Sequence, residues 1–225
     1  IGYGADAVTA YDLTTPWDVT TATYNGESVS VIGQDSSMFA LSFSPDGTKM
    51  ITAGTQNDDV YGYDLAIPWD VSTASHVDTD LLSYTGMYGV TFDDDGDQLF
   101  LINSDTTDRV YRAALGVNWD VSSAGSYTSF NLDTYHAGNT NPDDLFFNAD
   151  GTQLFVTDFY SDVYTYNLST PYDITTVSAG PAVIDVAGSK DVSGIAFSAD
   201  YDRMYFMDET DDVVREYNLR SYQEV

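Results

Sequence analysis

The chain has 225 residues, 43% apolar and 14% aromatic, with 36 acidic against 7 basic side chains and a formal net charge of −29. So apolar a composition excludes a disordered chain, and so few Lys and Arg exclude the clustered cations that nucleic acid or an anionic membrane surface requires. There is no cysteine, hence no disulfide framework or thiol chemistry, and no apolar run reaches the ~18 residues of a spanning helix. No secretory signal is visible. The acid is spread along the chain as Asp in loops, a pattern expected of a protein working in high salt, where screening removes self-repulsion.

Residues 1–37 read as the back half of a structural repeat: the end of a strand at Ile1-Gly2-Tyr3-Gly4, an alternating strand over 8–13, a Pro16-Trp17-Asp18-Val19 corner, and another strand around 28–32. A start in mid-repeat and without Met gives the expectation of a mature or excised piece of something longer. The first full repeat begins at Phe39-Ala40-Leu41-Ser42-Phe43 and turns at Ser44-Pro45-Asp46-Gly47. It returns through Lys49-Met50-Ile51-Thr52-Ala53, then runs Val60-Tyr61-Gly62-Tyr63-Asp64-Leu65 into Pro68-Trp69-Asp70-Val71 and a fourth strand near 77–82. Asp-Gly between alternating runs is a hairpin signal, since Gly takes the positive φ of the turn.

The second repeat opens at Gly89-Val90-Thr91-Phe92, turns at Asp95-Gly96, and passes through Val110-Tyr111-Arg112-Ala113-Ala114-Leu115 to Asn118-Trp119-Asp120-Val121. The third opens at Leu145-Phe146-Phe147, turns at Asp150-Gly151, and reaches Pro171-Tyr172-Asp173-Ile174. The fourth opens at Gly194-Ile195-Ala196-Phe197 and has Ser198-Ala199-Asp200-Tyr201 at its turn. The turn glycine is missing there, so a looser or differently shaped hairpin is expected. Leucines close the signature strand at 13, 65, 115, 168 and 219, spacings of 52, 50, 53 and 51.

A period near fifty built from four strands and no helical pattern predicts an all-β propeller of four-stranded antiparallel blades. The reading is one domain over 1–225, with repeats at 1–37, 38–86, 87–141, 142–191 and 192–225. Four blades are favoured, the terminal strands sharing one blade to close the ring. Five blades is the alternative and requires strands outside this sequence.

The run Phe43-Ser44-Pro45-Asp46-Gly47-Thr48-Lys49-Met50, then Val60 to Leu65, then Pro68-Trp69-Asp70-Val71-Ser72-Thr73-Ala74 resembles the propeller repeats of the WD-repeat and YVTN-type families. The Pro-Trp-Asp-Val corner is similar to repeats in surface proteins of marine microbes and in tail or fibre proteins of their viruses. The resemblance covers almost the whole chain. It implies an adhesion, receptor-binding or scaffold module in an extracellular, cell-surface or virion setting, and carries no catalytic motif.

The corner aromatics Trp17, Trp69, Trp119 and Tyr172 recur once per repeat, as structural residues should, and Asp18, Asp70, Asp120 and Asp173 behind them are expected to cap the turn. The acidic turn Asp93-Asp94-Asp95-Gly96-Asp97 lacks the rest of a calcium loop and reads as a plain hairpin. Gly54, Asn103, Asp158 and Asp208 occupy one repeat position, at the loop joining the second and third strands, and should rise on one face near the axis. Asp58, Asp105, Tyr160 and Glu209 lie around them, and Tyr88, Asn141 and Asp143 join that face. Carboxylates and amides beside rings suit a saccharide, whose hydroxyls need fixed acceptors and whose C–H faces stack. Asn103, Asp158, Asp208, Asp58, Asp105, Tyr88 and Tyr160 are therefore the candidate ligand residues, with Asp158 and Asp208 able to bridge through Ca²⁺. The two histidines, His76 and His136, fall in or near outer strands away from any Ser nucleophile.

The functional expectation is a non-enzymatic module binding a glycan or surface protein. A structural spacer in a larger assembly and a metal-dependent hydrolase with an axial site are the alternatives.

Overall fold

The structure, a computed structural model, describes residues 1, 6–80, 82, 84–105, 107–134, 141–159, 162–178, 181–186 and 191–219. Among them the regular structure is strand, apart from single 3₁₀ turns such as Val71–Thr73. Strands β1 (Ala7–Leu13) and β2 (Ala22–Ser30) form a two-stranded ribbon. The first blade is β3 (Met38–Phe43), β4 (Lys49–Gly54), β5 (Val60–Leu65) and β6 (Ala74–Asp80), antiparallel in that order. The second is β7 (Met87–Phe92), β8 (Gln98–Asn103), β9 (Arg109–Ala114) and β10 (Thr128–Asn131). The third is β11 (Pro142–Phe147), β12 (Gln153–Asp158), β13 (Asp162–Asn167) and β14 (Ala182–Asp185). The last has three strands, β15 (Val192–Phe197), β16 (Arg203–Asp208) and β17 (Val213–Asn218).

The four blades form a propeller, with β3 against β7, β7 against β11 and β11 against β15 round the axis. The core lies between blades. Ile51, Ala53 and Val60 of the first face Met87, Val90 and Phe92 of the second. Phe100, Ile102 and Val110 of the second likewise face Leu145 and Phe147 of the third. Burying such side chains contributes about 1.5–3 kcal/mol each. Each second strand alternates so that one set of side chains faces the next blade and the other the preceding one: Phe100 and Ile102 of β8 pack towards the third blade, Leu99 and Leu101 towards the first.

At the seam, Val8 and Val31 of the ribbon segment pack with Met38, Met50 and Tyr63 of the first blade. Trp17 stacks on Tyr205 of the last blade at 6.2 Å, and the Tyr205 hydroxyl donates to the Trp17 carbonyl at 2.6 Å. The ribbon and the last blade thus meet through side chains, as separate sheets and not one ladder. The cause is redundancy: β17 carries the same signature as β1 and already holds the third position on β16, from Arg203↔Asn218 to Asp208↔Val213.

The hairpin between first and second strands is locked by the corner that follows the third. Gly47, Gly96 and Gly151 take φ of +70°, +71° and +66°, and any Cβ there would overlap the ring of Trp69, Trp119 or Tyr172 respectively. The backbone N–H of each ring residue donates to the carbonyl of the glycine it covers, at 2.9, 2.9 and 2.8 Å. The ring residues themselves have φ of +57° to +68°, a conformation costly for a non-glycine residue and sustained here by the lock. Asp70 Oδ1 accepts the Ser72 N–H at 3.0 Å, and Asp18, Asp120 and Asp173 cap in the same way. The fourth hairpin keeps the common shape without glycine. Tyr201 adopts φ +56° and its N–H donates to Ser198 O at 2.8 Å, as Gly47 donates to Ser44 O at 2.9 Å, so the expected loosening does not occur.

Candidate functional site

Gly54, Asn103, Asp158 and Asp208 each end a second strand, so the repeat does bring them to one end of the propeller. The side chains of Asn103 and Asp208 hold the loops there. Asn103 is buried, its Oδ1 accepting the Arg109 N–H at 2.8 Å and its Nδ2 donating to Thr85 O at 3.4 Å. Asp208 is buried and accepts Arg215 Nε at 2.7 Å and the N–H groups of Thr210 and Asp211 at 3.1 and 3.2 Å. The Arg215 bond holds its carboxyl below the usual carboxylate range. Asp158 is buried beside Tyr164, whose hydroxyl is pushed up to about 12 by burial and then by the Asp158 and Asp162 charges.

Asp58 accepts the Gly86 N–H at 2.7 Å, tying the first blade's loop to the approach of β7, and Asp105 accepts the Thr85 hydroxyl at 2.8 Å. Of the seven expected ligand residues, Tyr88 lines the axial cavity, and Tyr160 lies outside the described residues, as does His136. No group of three or more His, Cys, Asp or Glu side chains among the described residues is placed to hold a metal ion. Asp93, in the acidic turn, is engaged by Asp97 and Gln98 N–H groups at 3.1 Å, as a plain hairpin requires.

The axis is lined by the innermost strands. Phe39, Tyr88, Asp143 and Ser193 occupy the same position of β3, β7, β11 and β15, one step after each strand begins. Two adjoining cavities of about 340 and 260 Å³ share Phe39, Tyr88, Asp143 and Glu209 at their mouth. The larger runs on from the axis to the seam, where Leu41, Tyr205, Met207 and Val214 line it. The Phe39 and Tyr88 rings lie 5.0 Å apart at 48°.

The next repeat position carries Ala40, Gly89, Asp144 and Gly194, three small residues and one acid. Asp144 Oδ2 accepts the Ile195 N–H across the blade boundary at 2.9 Å, and its Oδ1 accepts the Leu145 N–H at 2.8 Å. That N–H is available because β15 bulges between Ser193 and Ile195. A Cβ on Gly89 would come within 2.7 Å of Asp144 Oδ1, so the glycine makes room for the acid. Burial pushes Asp144 up to about 7, against the two N–H bonds. Asp143 is pushed up to about 8, by burial first and then by the charges of Asp144, Glu209 and Asp158. Near neutral pH the axis thus holds a protonated Asp143 carboxyl, able both to donate and to accept, beside two rings.

Sequence reasoning placed Tyr88, Asp143 and Glu209 on this face and missed Phe39 and Asp144. The signal was present: in four aligned inner strands, Asp144 is the one acid at a position otherwise small.

No family model matches the sequence, and no curated protein matches it. Solved structures do share the fold. A chain of a nidogen/laminin complex aligns with 88% of this chain and 66% of its own length, at 15% identity and a TM-score of 0.58. A periplasmic gluconolactonase from Pseudomonas aeruginosa aligns with 80% of this chain and 56% of its own, at 16% identity and a TM-score of 0.53. The chain therefore spans less than two thirds of either neighbour, and the likeness is one of fold.

Proposed function

We propose that the protein is a non-enzymatic binding module that takes a neutral, hydroxyl-rich ligand of the saccharide class at the axial cavity. The observation that carries this reading is the Phe39–Tyr88 ring pair beside Asp143 and Glu209 at one cavity mouth. Rings stack on sugar C–H faces, and the Asp143 carboxyl, raised by burial, exchanges hydrogen bonds with hydroxyls without bringing a full charge into the cavity. The expected loop residues Asn103, Asp158, Asp208, Asp58 and Asp105 act by holding the rim. An anionic ligand is disfavoured by the acidic surroundings, and the net charge of −29 supports work in a salty extracellular, cell-surface or virion setting.

The test is a glycan array in high-salt buffer, with calcium and again with chelator, followed by calorimetry. Saccharide binding that weakens about tenfold in Tyr88→Ala, the scale of a stacking contact, and is lost in Asp143→Leu supports the reading. Absence of binding under both conditions refutes it. A hydrolase is the second reading, favoured by the raised Asp143 carboxyl in a cavity. It requires turnover of a bound glycoside or lactone, abolished in Asp143→Asn.

A further inference from the structure

Asn25 is the one asparagine of the sequence that precedes a glycine. It lies in a bulge of the β1–β2 ribbon: Thr9 pairs with Ser28 and Tyr11 with Tyr24, so Asn25, Gly26 and Glu27 stand opposite Ala10 alone, outside the paired positions of the ladder. Asn25 and Gly26 are exposed, Gly26 takes φ +94°, and nothing lies within 4 Å of where a Cβ on it would sit. The Glu27 N–H donates to Asn25 Oδ1 at 3.0 Å, and Asn25 Nδ2 donates to Asp12 Oδ1 across the ribbon at 3.3 Å. The first bond lays the carboxamide along the Gly26 peptide, because its oxygen reaches the amide beyond.

Comparable pairs elsewhere in the chain lack this combination. Asn103, which precedes Ser104, is buried with both ends of its carboxamide bonded. Gly47, Gly96 and Gly151 follow aspartates, but their N–H groups donate to the carbonyls of Ser44, Asp93 and Asn148 at 2.9, 3.2 and 2.9 Å. Each of those glycines also lies under an aromatic ring.

We propose that Asn25-Gly26 is a self-modification site, where the chain converts asparagine to isoaspartate or aspartate without an enzyme. The Gly26 amide nitrogen, having given its proton to hydroxide, attacks Asn25 Cγ. The N–Cγ bond forms, the Cγ–Nδ2 bond breaks, and the carboxamide nitrogen leaves as ammonia. Water then opens the cyclic imide at either carbonyl, giving aspartate or, with the backbone rerouted through Cγ, isoaspartate. Glycine leaves the attacking nitrogen unhindered, the bulge holds the reacting groups side by side, and the Glu27 N–H stabilises the oxygen as it gains charge. The product replaces the donor to Asp12 by a carboxylate, so two like charges face each other across the ribbon. β1 leads through Leu13 to the corner where Trp17 meets Tyr205, so the change loosens the strand that carries the ring's closing contact. The inference does not rest on the saccharide reading, since none of its groups lines the axial cavity.

The test incubates the folded 225-residue chain in warm, mildly alkaline, low-salt buffer. Each asparagine-containing peptide is then followed by mass spectrometry for the gain of about 1 Da and by chromatography for the isoaspartate isomer. Asn25 should convert at least about tenfold faster than the exposed Asn118 and Asn167, and no slower than in the same chain unfolded in urea. Conversion should cease in Asn25→Gln, whose longer side chain requires a larger ring. Asn25→Asp supplies the charge without the rerouted backbone, and should speed hydrogen exchange of the Asp12 and Leu13 amides at least about threefold at low salt and little at high salt. An Asn25 that outlasts Asn118 or Asn167, or that converts more slowly folded than unfolded, would overturn the assignment of the site. Unchanged exchange in Asn25→Asp would overturn its effect on the ribbon. The rate comparisons need no variant, so a misfolded substitution cannot rescue the proposal.

Discussion

Replacing Asp143 by Asn should leave the protein equally stable in acid and make it more stable in base. In the folded chain this carboxyl keeps its proton to about pH 8, because burial and the neighbouring acids penalise the charge. In the unfolded chain it ionises near 3.8. Between those values the native state binds more protons than the unfolded state, so stability falls as pH rises, the reverse of the usual salt-bridged carboxylate. A shift of about four units corresponds to at most ~6 kcal/mol at ~1.4 kcal/mol per unit. The cavity is open to water at its mouth, and screening reduces this to about a third, ~2 kcal/mol. Asn reproduces the neutral carboxyl without the option of ionising. For a chain of this size, ~2 kcal/mol is roughly 4–8 °C in thermal midpoint. Circular-dichroism melts at fixed salt should superimpose near about pH 3, below the unfolded value, and separate progressively to that amount near about pH 8.5, the variant higher. The same offset at both pH values, or none at either, would mean that Asp143 ionises as an ordinary carboxyl and that the cavity is fully hydrated.

Gly47→Ala should cost more than about 2 kcal/mol, since it combines a positive φ with collision against the Trp69 ring. Gly33→Ala, with nothing within 4 Å of the added carbon, should change urea midpoints little. Asp70→Ala removes the cap on the Ser72 N–H and should lower stability by ~1 kcal/mol in urea titrations, with Asp70→Asn recovering most of it. The net charge of −29 predicts a thermal midpoint that climbs as salt is raised from about 0.1 M to about 2 M, readable by scanning calorimetry.

Periodicity made the blades legible because each structural need recurs: an Asp-Gly turn, a signature strand and an aromatic corner follow one another at nearly constant spacing. Chemistry at the axis was less legible because the same repeat position serves different ends. Asp158 and Asp208 share a position with Gly54, yet Asp208 proves to be the anchor of Arg215 on the neighbouring strand, a pairing that depends on the β16–β17 register. Asp144 was hidden inside what reads as an apolar strand, and its role depends on a bulge in another blade. The seam was ambiguous in sequence because β1 and β17 are two copies of one strand competing for one partner. The structure gives that partner, β16, to β17.

The contact of Trp17 with Tyr205 has a kinetic meaning. Those two residues stand 188 positions apart, whereas the ladders and blade interfaces elsewhere join segments about one repeat apart or less. Blades can form in succession from local pairings, each templating the next, with loop closure across the whole chain required only at the end. The closing contact is then absent from the early barrier, so weakening it should speed unfolding and leave the folding rate nearly unchanged. By the same logic the last blade and the ribbon form the cooperative unit that opens first, and fluctuations of the ring begin there.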